Sequence, residues 1–217
     1  LRAKGLLARV DENYTHRIAT NERGGGVIEP HIKKQWFIAV NKKFSMPHSR
    51  IKGIHRGQIV TLKDLMRIVI KNKAIAILPK RFEKVYFHWI NNLRDWCISR
   101  QLWYGHQIPV WYCATQSRIT NHESRIKNPK CHRPIVSIAG VSLCPHCKGP
   151  VEQDADTLDT WFSSGLWTFS TLGWPQKTTD LKTYHPTSVL GTAYEILFFW
   201  VARMILMSAC LVGDIPF

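Results

Sequence analysis

"TSVLGTAYEILFFWVARMILMSACLVG", residues 187 to 213, decides the fold class. Its opening residues, Thr187 to Thr192, are a short apolar run with β-branched members, which predicts a strand. From Ile196 to Gly213 the chain is almost wholly apolar and nearly long enough to cross a bilayer. Arg203 stands at its middle, and a guanidinium at the bilayer centre is costly. Ser208 and the small residues near it suit a helix packed inside a protein. A strand followed by a buried helix is half of an α/β unit, so the expected class is α/β with no membrane span.

Working outward, the same reading places further elements. Gln35 to Val40 alternates like a strand, and Thr61 caps a helix carrying Leu62, Leu65, Met66 and Val69 at helical spacing. Ala74 to Leu78 reads as a short strand closed by Pro79. Phe82, Val85, Tyr86, Trp89, Ile90 and Leu93 fall at three- and four-residue steps, an amphipathic helix, and "QIPVWYC" (107 to 113) reads as a strand. A boundary between two structural units is expected near Pro79 to Glu83.

The 217 residues are 45% apolar and 21% charged, ordinary globular usage. Thirty Lys and Arg against fifteen Asp and Glu give a net charge of +15, which points to a polyanionic partner such as nucleic acid or to an anionic membrane surface, and charge alone does not choose between them. Six cysteines, unevenly spaced and without a secretory leader, argue against a disulfide scaffold and for a reducing, cytoplasmic setting. A chain that opens at Leu1 reads as a fragment.

"CPHC" at 144 to 147, followed by Lys148 and Gly149, is a knuckle turn in which two thiolates can grip one Zn²⁺. Cys131 is a third candidate ligand, and Cys113, His132 or His122 could be the fourth. A reduced thiol pair without metal is the plain alternative. His146 is expected to face solvent, and Cys97 and Cys210 to be small core residues.

"DTLDTWFSSGLWTFSTLGWP", 156 to 175, concentrates large rings in a stretch that reads partly as loop. Together with "NLRDWCISRQLWYGHQIPVWY" (92 to 112) and "HPTSVLGTAYEILFFWVARMI" (185 to 205), it resembles the valyl-tRNA synthetases, class I aminoacyl-tRNA synthetases. Isoleucyl relatives resemble it less: they carry WFDSG where this chain has "WFSSG", and Gly-Ser-Asp-Gln where it has "AYEI".

The resemblance implies the second half of a Rossmann-type catalytic domain, residues 81 to 217, with a zinc-knuckle insertion at about 113 to 150. Residues 1 to 80 would be the tail of the inserted editing domain. It implies ATP-dependent activation of valine, with Mg²⁺, and transfer to tRNA(Val), by a protein monomeric at full length. HIGH-like and KMSKS-like signatures are absent from these residues, so this chain alone is expected to be inactive, and no catalytic base is nominated.

By the same resemblance, Trp161 and Trp200 wall the amino-acid pocket. Two rigid faces can close on a small branched side chain and leave no room for another methylene. Threonine, nearly isosteric with valine, would be rejected only about a hundredfold, hence the family's editing. Trp167, Phe169 and Trp174 are expected to be core packing.

Thr192, Ala193 and Glu195 would meet the nucleotide, at the strand end where open α/β sheets place ligands. The family usually has Gly and Asp at the last two positions. Relatives often have Trp where Tyr104 stands, a conservative change for packing. His106 is expected to be structural, with approach to the active-site crevice as the alternative. Many relatives have a Cys-x-x-Cys pair where this chain has Asn21 and Gly24, so that first knuckle cannot bind zinc here.

A rival reading, a non-catalytic zinc-ribbon module that binds nucleic acid, would use Arg125, Lys127, Lys130, Arg133 and Lys148 on phosphates. It makes the helix after Glu195 dispensable.

Overall fold

A computed structural model describes residues 1–22, 24–114, 131 and 133–217. The chain forms two compact units, Leu1–Lys34 and Gln35–Phe217. In the first, every described residue is exposed, and local structure includes a one-turn 3₁₀ segment, Arg2–Lys4, a turn at Asp11 to Tyr14 and a tight turn that starts at Asn21 and closes at Gly26.

The second unit runs β1 (Phe37–Ile38), β2 (Phe44–Ser45), β3 (Ile59–Val60), α1 (Leu62–Lys71), α2 (Phe82–Asn91), β4 (Trp96–Cys97), β5 (Ser99–Arg100) and β6 (Val110–Cys113). It continues with β7 (Ile135–Val136), β8 (Val151–Gln153), β9 (Thr157–Leu158), α3 (Thr160–Ser170), α4 (Thr179–Tyr184) and α5 (Ala202–Leu211). The strands pair antiparallel: β1 with β4, β2 with β3, β5 with β9, and β6 between β7 and β8.

Helix α1 forms where the sequence places it because both ends of a capping box are present. The Thr61 hydroxyl accepts from the Asp64 N–H at 3.0 Å, and the Asp64 carboxylate accepts from the Thr61 N–H at 3.1 Å. Its apolar face, Leu65, Met66 and Val69, is fully buried, and the Tyr86 hydroxyl of α2 donates to the Met66 carbonyl at 2.9 Å.

The core is centred on α5, in which Met204 to Ala209 are all buried against α1 and α3. Gly165 lets α3 and α5 approach, since a Cβ there would stand 3.2 Å from Met207 Cγ and 3.4 Å from the Arg203 carbonyl oxygen. The 18 residues Tyr194–Leu211 are long and apolar enough to cross a membrane, but half of that window is buried inside the protein. This is a core helix, and the rival module's prediction that it is dispensable fails with it.

Three expectations need correction. Thr160 to Ser170 is a helix, not a loop: Asp159 caps it, its carboxylate accepting from the Trp161 N–H at 3.4 Å. Ala74 to Leu78 and Thr187 to Thr192 form no strand. The backbone N–H groups of Ala76 to Leu78 and of Ser188 to Thr192 make no hydrogen bond among the described residues, so there is no ladder. The segment from Tyr194 is not one uniform helix: a 3₁₀ turn (Tyr194–Ile196) passes into a π-turn (Leu197–Val201) before α5 begins. The compact units divide at Lys34–Gln35, and α1 and α2 pack on the same core as α5.

Candidate metal centre and side-chain pocket

Two sites emerge. The first is built at one end of the three-stranded sheet. Strand β6 ends at Cys113, paired with Val151 of β8, and the turn leading into β8 carries Cys144 and Cys147. That turn is closed by the Cys144 N–H donating to the Gly149 carbonyl at 2.8 Å and the Lys148 N–H to the Cys144 carbonyl at 2.9 Å. Lys148 adopts a left-handed conformation, φ 58°.

Cys131 completes a cluster in which all four sulfurs lie within 4.8 Å of one another. The closest pairs are Cys113 with Cys147 at 3.5 Å and Cys131 with Cys144 at 3.8 Å. All four are free thiols. A tetrahedron with Zn–S bonds of about 2.3 Å has its sulfurs about 3.8 Å apart, so the donor set suits Zn²⁺.

Burial opposes ionisation of Cys144, but the Cys147 and His146 backbone N–H groups and the neighbouring thiols outweigh it and lower its pKa to about 7. Burial and the surrounding sulfurs push Cys131 up to about 12. Such a cluster holds one thiolate readily and yields the others to a cation.

The sequence singled out Cys131, Cys144 and Cys147 and left the fourth ligand open among Cys113, His132 and His122; the structure brings Cys113 to the cluster. His122 and His132 lie outside the described residues, as do Arg125, Lys127 and Lys130. His146 faces solvent, as expected, and Arg133 and Lys148 are exposed.

The second site is an open hollow of about 420 Å³ lined by Trp161, Ser164 and Trp167 of α3 together with Ile196 and Trp200. Helix α3 presents residues 161, 164 and 167 on one face because they are three apart. Trp200 lies in the π-turn, whose wider winding changes which residues of the segment point at α3. Trp167 stacks on Trp200 with centroids 6.4 Å apart, and Trp161 stacks on Phe199 at 6.0 Å.

Trp161 and Trp200 thus line one hollow, each backed by another ring. Trp167 is corrected from core packing to pocket lining, since it is 38% exposed, whereas Phe169 is fully buried and packs edge-on to Trp174. Ile196 and Ser164 were missed; their placement depends on the π-turn and on α3 being a helix.

Behind the hollow, the Arg203 guanidinium sits 4.4 Å from the Trp96 ring centroid, 5.5 Å from Phe199 and 6.0 Å from Trp161. Its Nη1 donates to the Phe199 carbonyl at 2.8 Å. Burial lowers its pKa, with Asp159 opposing. Asp159, which caps α3, also accepts from Trp96 Nε1 at 2.9 Å and pairs with Arg100 at 3.1 Å.

Thr192, Ala193 and Glu195 are exposed and do not line the hollow. Thr192 borders a separate apolar cleft of about 450 Å³, which runs between residues 74 to 78 and 188 to 192 and is floored by Leu197, Val201 and Ile205. Ala193 precedes the 3₁₀ turn and Glu195 lies within it. His106 Nδ1 lies 3.4 Å from the Ser163 hydroxyl of α3. Tyr104 is 88% exposed and does not pack, and Cys97 is half-buried, its thiol donating to Gln35 Oε1 at 3.0 Å; both depart from the packing roles expected of them.

The family description "tRNA synthetases class I (I, L, M and V)" matches residues 6–217. Valine–tRNA ligase of Dehalococcoides mccartyi (strain 195) is 45% identical over all of this chain, which covers 21% of that protein. Valine–tRNA ligase of Pseudothermotoga lettingae is 44% identical over all of this chain and 21% of that protein. Valine–tRNA ligase of Clostridium perfringens is 42% identical over 98% of this chain and 20% of that protein. The chain spans about a fifth of the length of these relatives.

Proposed function

Because the chain belongs to the class I tRNA synthetases, we propose that it is the part of a cytoplasmic, monomeric valine–tRNA ligase that shapes the amino-acid pocket and half of the nucleotide-binding fold. The observation that carries this reading is the match along the entire chain to proteins named valine–tRNA ligase. The hollow gives it a mechanism.

Indole faces of Trp161 and Trp200, with Ile196 lining the same hollow, offer dispersion contact to an isopropyl group and little space for a further methylene. The complete protein would join valine to ATP, with Mg²⁺ on the phosphates, and pass the acyl group to the terminal ribose of tRNA(Val). This chemistry rests on positioning and charge stabilisation rather than on a protein nucleophile. Within this chain the tryptophans position the side chain, and Thr192 and Ala193 ahead of the 3₁₀ turn and Glu195 within it are exposed and available to a nucleotide.

Segment 188 to 192 supports the reading of residues 81–217 as half of a Rossmann-type domain. Its backbone N–H groups make no hydrogen bond among the described residues and border an apolar cleft, as in a strand whose neighbours come from elsewhere in a longer protein. Residues 1–80 are assigned to the tail of the editing domain. The four thiols would hold Zn²⁺ structurally, tying β6 to the knuckle turn; with four protein ligands no position is left open for chemistry.

The test is valine-dependent exchange of pyrophosphate into ATP. The complete protein should catalyse it and the 217-residue chain should not; a complete protein that activates isoleucine in preference to valine overturns the reading.

A further inference from the structure

The turn that joins Thr20 to Val27 repeats the bridge, the two closing hydrogen bonds and the left-handed position of the cysteine turn at 143 to 150. Thr20 bridges Val27 as Leu143 bridges Pro150. The Asn21 N–H donates to the Gly26 carbonyl at 2.9 Å, as Cys144 does to Gly149 at 2.8 Å, and the Gly25 N–H donates to the Asn21 carbonyl at 3.0 Å, as Lys148 does to Cys144 at 2.9 Å. Gly25 and Lys148 share the left-handed conformation, φ 64° and 58°. Asn21 and Gly24 therefore stand where the other turn has Cys144 and Cys147.

A metal does not fit these residues. Asn21 and Gly24 supply no thiolate, and no cysteine precedes Cys97 in the chain. The space between the two positions is filled instead. The Asn21 carboxamide oxygen accepts from the Gly24 N–H at 2.7 Å, and its nitrogen donates to the Gly26 carbonyl at 3.2 Å. A Cβ on Gly24 would lie 3.3 Å from that oxygen, and one on Gly26 only 2.9 Å from that nitrogen.

We infer that residues 20–27 are a knuckle turn closed without metal, in which the Asn21 carboxamide bridges the two strands of the turn as an ion bridges the thiolates at Cys144 and Cys147. Asparagine is suited to this because one short side chain carries both an acceptor and a donor for nearby backbone groups. The glycines follow from it: one supplies the left-handed position, and the others leave room for the amide. The chain then takes up one metal ion, not two, and the two turns respond differently to its removal.

The experiment is amide hydrogen exchange on the 217-residue chain, with zinc and after chelation, alongside metal analysis. Chelation should speed exchange at Cys144 and Lys148 by about tenfold or more while Asn21, Gly24 and Gly25 keep their rates. Asn21→Ala should speed Gly24 and Gly25 by about threefold to tenfold and leave residues 143 to 150 unchanged. Asn21→Asp, which keeps the acceptor for Gly24, should restore the Gly24 rate. Two metal ions per chain, opening of both turns on chelation, no measurable protection at Gly25, or wild-type rates in Asn21→Ala would each overturn the inference.

Discussion

Replacing Arg203 by Met removes the charge behind the hollow while keeping a long apolar stem. The guanidinium's contact with Trp96, at 4.4 Å, is worth about 0.5–2 kcal/mol. Its hydrogen bond to the Phe199 carbonyl at 2.8 Å adds about 1 kcal/mol, taken low because the group is partly exposed. Relief of guanidinium desolvation offsets part of this, leaving a net loss of about 1–2 kcal/mol. For a chain of this size that lowers Tm by about 2–8 °C. The assay is thermal unfolding followed by far-UV circular dichroism and tryptophan emission, with Arg203→Lys and Trp96→Phe completing a double-mutant cycle. Because the same guanidinium lies 6.0 Å from Trp161, the Met variant of the complete protein should also raise KM for valine more than it lowers kcat. A Met variant as stable as the parent refutes the energetic account. A lowered Tm with valine kinetics unchanged refutes the claim that Arg203 holds the pocket wall.

Cys144→Ser should cut the zinc content from about one per chain to well below half, as measured by atomic absorption, because a three-thiol site with one hydroxyl is a weak grip. Gly165→Ala gains helix propensity of up to about 1 kcal/mol but presses on Met207 and the Arg203 carbonyl, and the overpacking should leave a net loss of about 1 kcal/mol in urea unfolding. His185, buried between the Thr168 carbonyl (3.3 Å) and the Ser208 hydroxyl (3.2 Å), has its pKa lowered by burial from 6.5. Its neutral form is therefore the one the fold accepts: stability is fully present above about pH 6.5 and falls as acid protonates the unfolded chain first. The urea midpoint should drop between pH 7 and pH 5 in the parent and drop less in His185→Gln; equal drops would contradict it.

What was legible in the sequence was what is decided locally. The Thr61 cap and its helix follow from residues within one turn, and the Cys144 knuckle from six consecutive ones. Helix α3 was hidden because its rings and hydroxyl residues show little polar face, although Asp159 was the cap signal in plain view. Segments 74 to 78 and 187 to 192 have strand composition, but a strand exists only with a partner, and among the described residues none pairs with them. Cys113 joined the cluster through the β6–β8 register, and Ile196 joined the hollow through the π-turn; neither pairing nor winding is written in residue spacing.

The central claim is that Trp161 and Trp200 close on a valine side chain. It is tested most directly by Trp200→Ala in the complete protein, with kcat/KM measured for valine and isoleucine activation. One methylene is worth about 1–3 kcal/mol of discrimination, so removing one wall of the hollow should lower the valine-to-isoleucine ratio by about tenfold or more. A fall in both activities with their ratio unchanged would make Trp200 a packing residue of the π-turn and contradict the pocket.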